Sequence, residues 1–155
     1  MVKMVSLERN GGSVVKEKSI GDLCHELMSE AGIDSYIKDN QMFFSDQSVA
    51  ELLNDLYGKK SVTKAALARD AGISEVYLHQ VFSGRRHPSR DRLLCICICM
   101  GATFDEIQKL LREASFAQLY PKIKRDAIIS YGIIHQVGLR EINEKLVAER
   151  EKPLY

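Results

Sequence analysis

The stretch "SVTKAALARDAGISEVYLHQVFSGRRHPS", residues 61–89, decides how the rest of the chain is read. Thr63 is a residue type whose side chain accepts hydrogen bonds from the first free amides of a helix, and Ala66, Leu67 and Ala68 follow it as good helix formers. Gly72, after Ala71, supplies the left-handed residue on which helices commonly end. Ile73 and Ser74 leave room only for a tight turn. Ser74 caps a second helix through Phe82, with Leu78 and Val81 facing inward, and Gly84 stops it. The spacing predicts two short helices joined by a glycine-bearing turn, a helix-turn-helix.

Charge is concentrated around this motif. Residues 59–92 hold Lys59, Lys60, Lys64, Arg69, Arg85, Arg86, Arg90 and Arg92 against Asp70, Glu75 and Asp91, a net +5 in a chain whose total is +1. The remainder is therefore slightly acidic, at −4. A basic middle in an acidic whole suits one face meeting an anionic polymer, and a solvated charged face is the alternative. The second helix of such a motif fits the major groove of duplex DNA, where side chains near its start reach base edges.

The residues resemble the phage-repressor-like, XRE-type helix-turn-helix family. The positions that carry the resemblance are Val62, Thr63, Lys64, Leu67, Ala68, Gly72, Ile73, Ser74, Leu78, Val81, Gly84, Arg85, Arg86 and Pro88, in register without a gap, then Ser89, Leu93, Leu94, Ile96 and Gly101. "TFDEIQKLL", capped by Thr103 with Phe104, Ile107 and Leu111 inward, is similar to the family's last helix. The resemblance implies an all-α, five-helix domain over residues 46–114. It also implies a sequence-specific, double-stranded DNA-binding transcriptional regulator that acts as a homodimer, with recognition helices about 34 Å apart on half-sites one turn apart.

By the same resemblance Glu75, Val76, Tyr77, His79 and Gln80 read bases. Glutamine can bond an adenine edge, glutamate can accept from cytosine, and valine or tyrosine can touch a thymine methyl. Thr63, Lys64, Arg85, Arg86, His87 and Arg90 anchor phosphates and set affinity and salt dependence. Two positions depart from the family: Glu75 brings a negative charge near phosphates, and Phe82 stands where an acidic residue very often organises the next loop. The competing expectation is a protein partner bound on a helix-turn-helix scaffold that has lost DNA, with Val76, Tyr77 and Phe82 as its apolar surface.

"LLCICICMG", residues 93–101, places Cys95, Cys97 and Cys99 at alternate positions. Read alone, that is the period of a strand with three thiols on one face. The resemblance instead implies the family's fourth helix, between Ser89 and Gly101, on which Cys95 and Cys99 share a face and Cys97 does not. Neither a second cysteine pair nor a histidine pair is spaced to complete a metal site, so the cysteines are expected to be structural, with no metal and no cofactor.

Four cysteines without a regular framework, no apolar run long enough for a bilayer and no signal-peptide pattern lead us to expect a cytoplasmic protein without membrane contact. No phosphate loop and no nucleophile beside an activating base is present, so an enzyme is not expected. Residues 1–19 show no sustained period and read as an irregular arm. Ile20, Leu23, Leu27 and Met28 then mark a short helix, capped by Ser19 and stopped by Gly32, to complete an N-terminal region over 1–45. Ser45, with Phe44 and Val49 as a hydrophobic staple, is the expected cap of the next helix, which buries Val49, Leu52, Leu53 and Leu56. Residues 115–155 read as a helical hairpin on the main domain, broken at Val137 and Gly138. Pro121 stands in its first turn, and Ile123, Ala127, Ile128, Tyr131 and Ile134 form one apolar stripe. Leu139, Ile142, Leu146 and Val147 form the other, and His135 is a cap or surface residue.

Overall fold

The computed structural model describes residues 2–7, 13–29, 32–44 and 48–155, with side chains from Lys18 onward. It divides into two units, residues 1–46 and 47–155. Among the described residues it is predominantly helical, with nine α-helices, and no helix is long and apolar enough to cross a membrane.

The smaller unit corrects the expected irregular arm. Strands β1 (Val2–Leu7) and β2 (Ser13–Lys18) pair antiparallel in a register running from Val2↔Lys18 to Leu7↔Ser13. Val2, Val5, Val14 and Val15 carry β propensity, but six-residue runs hold too few positions to display a period, and their pairing is not a local property. Helix α1 (Ile20–Leu27) opens on a capping box in which Ser19 and Asp22 each accept the other's backbone amide. It stops at Met28, not at Gly32, which with φ +82° instead precedes a helix the sequence reading missed, α2 (Ile33–Asp39). A 3-10 turn, Gln41–Phe43, follows. Ile20, Leu27 and Met28 are exposed, so the α1 stripe is not a buried one. Buried Asn40 ties this unit together instead: its amide donates to Glu26 (2.7 Å) and to the Tyr36 carbonyl (3.0 Å), and its oxygen accepts from Lys18 (2.8 Å).

The larger unit is helical throughout. Helix α3 (Val49–Tyr57) is capped by Ser48, whose hydroxyl accepts the Glu51 amide; Ser45, the expected cap, lies outside the described residues. Leu53 and Leu56 are buried on α3, with Val49 and Leu52 half-buried beside them. Helices α4 (Lys64–Ala71), α5 (Glu75–Phe82), α6 (Arg90–Met100) and α7 (Phe104–Glu113) are capped by Thr63, Ser74, Ser89 and Thr103, each hydroxyl accepting the amide three residues on. Each cap contributes about 1 kcal/mol. Gly72 (φ +72°) and Gly101 (φ +79°) end α4 and α6 in the left-handed conformation.

At the centre lies α6, packed against α4, α7 and α9. Leu93, Leu94, Cys95, Ile96, Cys97 and Met100 are all buried, so the helix is apolar on nearly every side. Beyond its first turn, where Arg92 is exposed, it has no polar face to show, and that is why its sequence lacks a helical period. The alternating cysteines belong to a helix and not to a strand.

Helices α8 (Lys124–Ile134) and α9 (Leu139–Ala148) complete the unit. Pro121 lies ahead of α8, in a turn, and not in its first turn. The stripe expected to face inward is also rotated: α8 buries Asp126, Ile129, Gly132 and Ile133, whereas Ile123, Tyr131 and Ile134 are exposed. Adjacent isoleucines, Ile128–Ile129 and Ile133–Ile134, make two faces of α8 apolar, so pattern alone does not choose between them. On α9 Leu139, Ile142 and Leu146 are buried, and Val147 is exposed.

Two Arg-Asp dipeptides join α6 to α8. Arg90 donates to both oxygens of Asp126 (3.2 and 3.1 Å), and Arg125 donates to both oxygens of Asp91 (2.9 and 3.1 Å). Arg90 also donates to the carbonyls of Ala117 and Gln118, and Asp126 accepts the Tyr120 amide. Asp126 is only 4% exposed, so removing a partner leaves a buried charge. Arg90→Ala, which strands the buried Asp126 carboxylate, is expected to lower unfolding stability by about 3 kcal/mol in urea titration, against under about 0.5 kcal/mol for Arg140→Ala in the exposed Arg140–Glu144 pair.

Candidate nucleic-acid interface

The site is built from α5 outward. Leu78 and Val81 are buried and hold α5 to the core, and Phe82 meets Tyr57 of α3 edge to face at 5.3 Å between ring centroids. Asn54 of α3 donates to the Phe82 carbonyl (2.8 Å), satisfying one of the acceptors that a helix end leaves open. With its inner side fixed, α5 turns Glu75, Val76 and His79 to solvent, and Gln80 is half-buried at their edge. Val76, at 68% exposed, is the apolar centre of this face.

The following loop is wound onto the helix end. Gly84 adopts φ +81°, which lets the Arg85 and Arg86 amides both donate to the Gln80 carbonyl (2.9 and 3.2 Å). Their backbones are thus anchored while both side chains, and that of His87, are exposed. Across a shallow cleft from Arg85, the Lys64 ammonium lies over the rings of Phe82 (4.9 Å) and Tyr57 (5.5 Å). That cation–π contact gives Phe82 a definite part, since it steers a cation to the side of α5. Thr63 accepts the Ala66 amide (3.2 Å), and its exposed hydroxyl keeps a hydrogen to donate outward.

Three residues do not stand where the sequence placed them. Phe82, expected on an exposed apolar surface, is 5% exposed and packs inward. Arg90 is consumed by Asp126 and two carbonyls, so it is removed from the loop cations. Tyr77 is half-buried, with the Arg92 guanidinium 5.0 Å above its ring. Arg92, not singled out from the sequence, is exposed and adds its charge beside α5. The signal was present as a basic residue three positions after Ser89, but only the packing of Tyr77 brings it to this face.

Internal pairing also removes other charges. Lys60 binds Glu106 (2.9 Å) and Arg69 binds Asp70 (3.4 Å). Outside ion pairs among the described residues, what remains in residues 59–92 is Lys59, Lys64, Arg85, Arg86 and Arg92 against Glu75. The arrangement can present an exposed helix face between cations to an anionic partner.

The three clustered thiols have no such role. Burial pushes Cys95 up to about 12 and Cys99 up to about 11, and it raises Cys97 further still. Cys95 points at the Leu154 carbonyl, 3.8 Å away. All three are protonated near neutral pH and poor nucleophiles or ligands. Among the described residues, no group of three histidine, cysteine or acidic side chains is placed to hold a metal ion.

No family model, curated protein or solved structure matches the chain.

A pH dependence follows from the raised thiols. The folded state keeps protons that the unfolded chain gives up near the ordinary thiol value of 9.0, so stability falls as pH rises past about 9. Each buried thiol contributes up to about 1.4 kcal/mol per pH unit there. Cys97→Ala is expected to flatten this alkaline decline relative to wild type while leaving the curve parallel below pH 8, as read from urea midpoints across pH. Under native conditions a thiol reagent is expected to modify exposed Cys24 quickly, half-buried Cys99 more slowly, and buried Cys95 and Cys97 only on unfolding.

Proposed function

We propose that this chain is a sequence-specific, double-stranded DNA-binding transcriptional regulator of the repressor-like helix-turn-helix type. In this reading α3–α7 are the five-helix domain and α5 enters the major groove. The observation that carries it is the exposed face of Glu75, Val76 and His79 on a short capped helix, flanked by Lys64, Arg85, Arg86 and Arg92, which are in no ion pair among the described residues.

Lys64, Arg85, Arg86 and His87, with Thr63 and Arg92, bind phosphates and set register on the duplex. Gln80 reads an adenine edge and Val76 a thymine methyl. Glu75 accepts from a cytosine amine and repels the acceptor-rich edge of guanine, so its negative charge selects by exclusion as well as by attraction. Two chains on a two-fold-symmetric site would present their recognition helices about 34 Å apart. Val76 also favours a second reading, a protein partner docked on the same face, because an exposed apolar centre suits either a thymine methyl or an apolar side chain.

The test is selection from random duplexes, followed by titration at several salt concentrations. An enriched two-fold-symmetric site is expected. Arg85→Ala with Arg86→Ala should weaken binding to all sequences and reduce the salt slope by about 2, whereas Gln80→Ala should relax preference at one base position at a cost of about 1–3 kcal/mol. Absence of duplex binding by the wild type at low salt rejects the DNA reading in favour of the protein partner.

A further inference from the structure

Helices α8 and α9 run antiparallel, as the pairing of Lys124 with Glu149 at one end and the contact of Gly132 with Ile142 towards the other require. A Cβ on Gly132 would fall 2.5 Å from the Ile142 side chain, so glycine permits the helices to approach closely at that point. Along the hairpin runs an open groove of about 630 Å³ whose floor is Ala127, Ile128, Gly132, Val137 and Ile142. Tyr131, 63% exposed, stands on its wall, and Ile123 and Ile134 continue the outward stripe of α8. A helix with two apolar faces ordinarily has both covered, and here only one packs on its own unit.

The rim charges indicate what covers the other. At the end away from the hairpin turn, Lys124 and Lys145 share a single carboxylate, Glu149, at 3.2 and 3.0 Å, leaving one positive charge in excess. At the turn end Glu141 is exposed and in no ion pair among the described residues. The groove is thus negative towards the turn and positive beyond it, with Glu141 and Lys145 one turn, about 6 Å, apart on α9. A two-fold axis passing between these two positions brings each Glu141 against the Lys145 of the second copy, so the surface is complementary to itself.

We propose that the α8–α9 groove is a self-association surface whose occupant is the same groove of a second copy of this chain. It deepens the reading of a regulator acting on paired half-sites and takes its biological purpose from that reading, but the association itself is measured without DNA. Two 10- to 11-residue helices side by side offer a face about 16 Å long and about 20 Å wide, on the order of 300 Å² and less than the roughly 800 Å² per partner of a standard interface, so the dimer is weak, with dissociation on the order of micromolar.

Sedimentation equilibrium of the full chain tests this, with far-ultraviolet circular dichroism to confirm that each variant is folded. Wild type is expected to show a monomer–dimer equilibrium. Glu141→Lys and Lys145→Glu, both at exposed positions, should each weaken self-association at least tenfold, because each places like charges at both symmetric contacts. An equimolar mixture of the two variants should associate again, since each then supplies the charge the other lacks, and Tyr131→Asp should abolish association. Wild type that stays monomeric at about 200 µM overturns the proposal, as does a folded mixture that fails to associate. A chain that dimerises through this groove yet binds no duplex would overturn the DNA reading alone, and one that binds duplex but never self-associates would overturn the groove alone.

Discussion

The reciprocal pairing of Arg90 with Asp126 and of Arg125 with Asp91 is the constraint on which the larger unit turns. It fastens the first turn of α6 to the first turn of α8, immediately after the loop that carries Arg85 and Arg86. Arg125 extends the clasp by donating to the carbonyls of Lys152 and Pro153, and Asn143 accepts the Leu154 amide on the same side. The chain beyond α9 is thereby laid against α6, over Cys95. Four charges at this depth are tolerable because each guanidinium meets a carboxylate in bidentate geometry and the spare donors find carbonyls.

That clasp has a consequence for the outward face. Without it, Arg90 would be one more cation in the loop, and the charge around α5 would be diffuse. Spent on Asp126, it leaves a smaller set of cations on either side of the Val76 face, with Lys64 held by two aromatic rings and Arg92 by one. The same economy governs α6, where a helix buried on most sides uses cysteine as a small apolar residue, and burial keeps its thiols protonated.

The smaller unit follows a different logic. Its described side chains include no buried apolar residue, and Asn40, bonded to Lys18, Glu26 and the Tyr36 backbone, is its one buried side chain among those described. A hairpin and two short helices organised by a polar network lie close to the lower limit of what a chain segment can stabilise by burial. The larger unit, by contrast, has a continuous apolar core from Leu53 to Leu154.

The sequence by itself determined the features whose cause is local. Ser and Thr at Ser19, Thr63, Ser74, Ser89 and Thr103 start helices because their hydroxyls satisfy amides three residues away, and Gly72, Gly84 and Gly101 follow helix ends because an L side chain resists positive φ. The exposed residues of α5 and the loop were legible for the same reason. Tertiary structure decided whatever depended on partners distant in the chain. Arg90 looks like a free loop cation until Asp126, 36 residues on, takes its charge. Tyr77 looks like a base reader until Arg92 covers its ring. The two faces of α8 are equally apolar in sequence, and only packing against its own unit selects Ile129 and Ile133 for the interior. Strand pairing in residues 2–18 is likewise a contact between segments, which no short window contains. Charge pairing, ring stacking and strand pairing act through space, so the order of residues alone leaves them open.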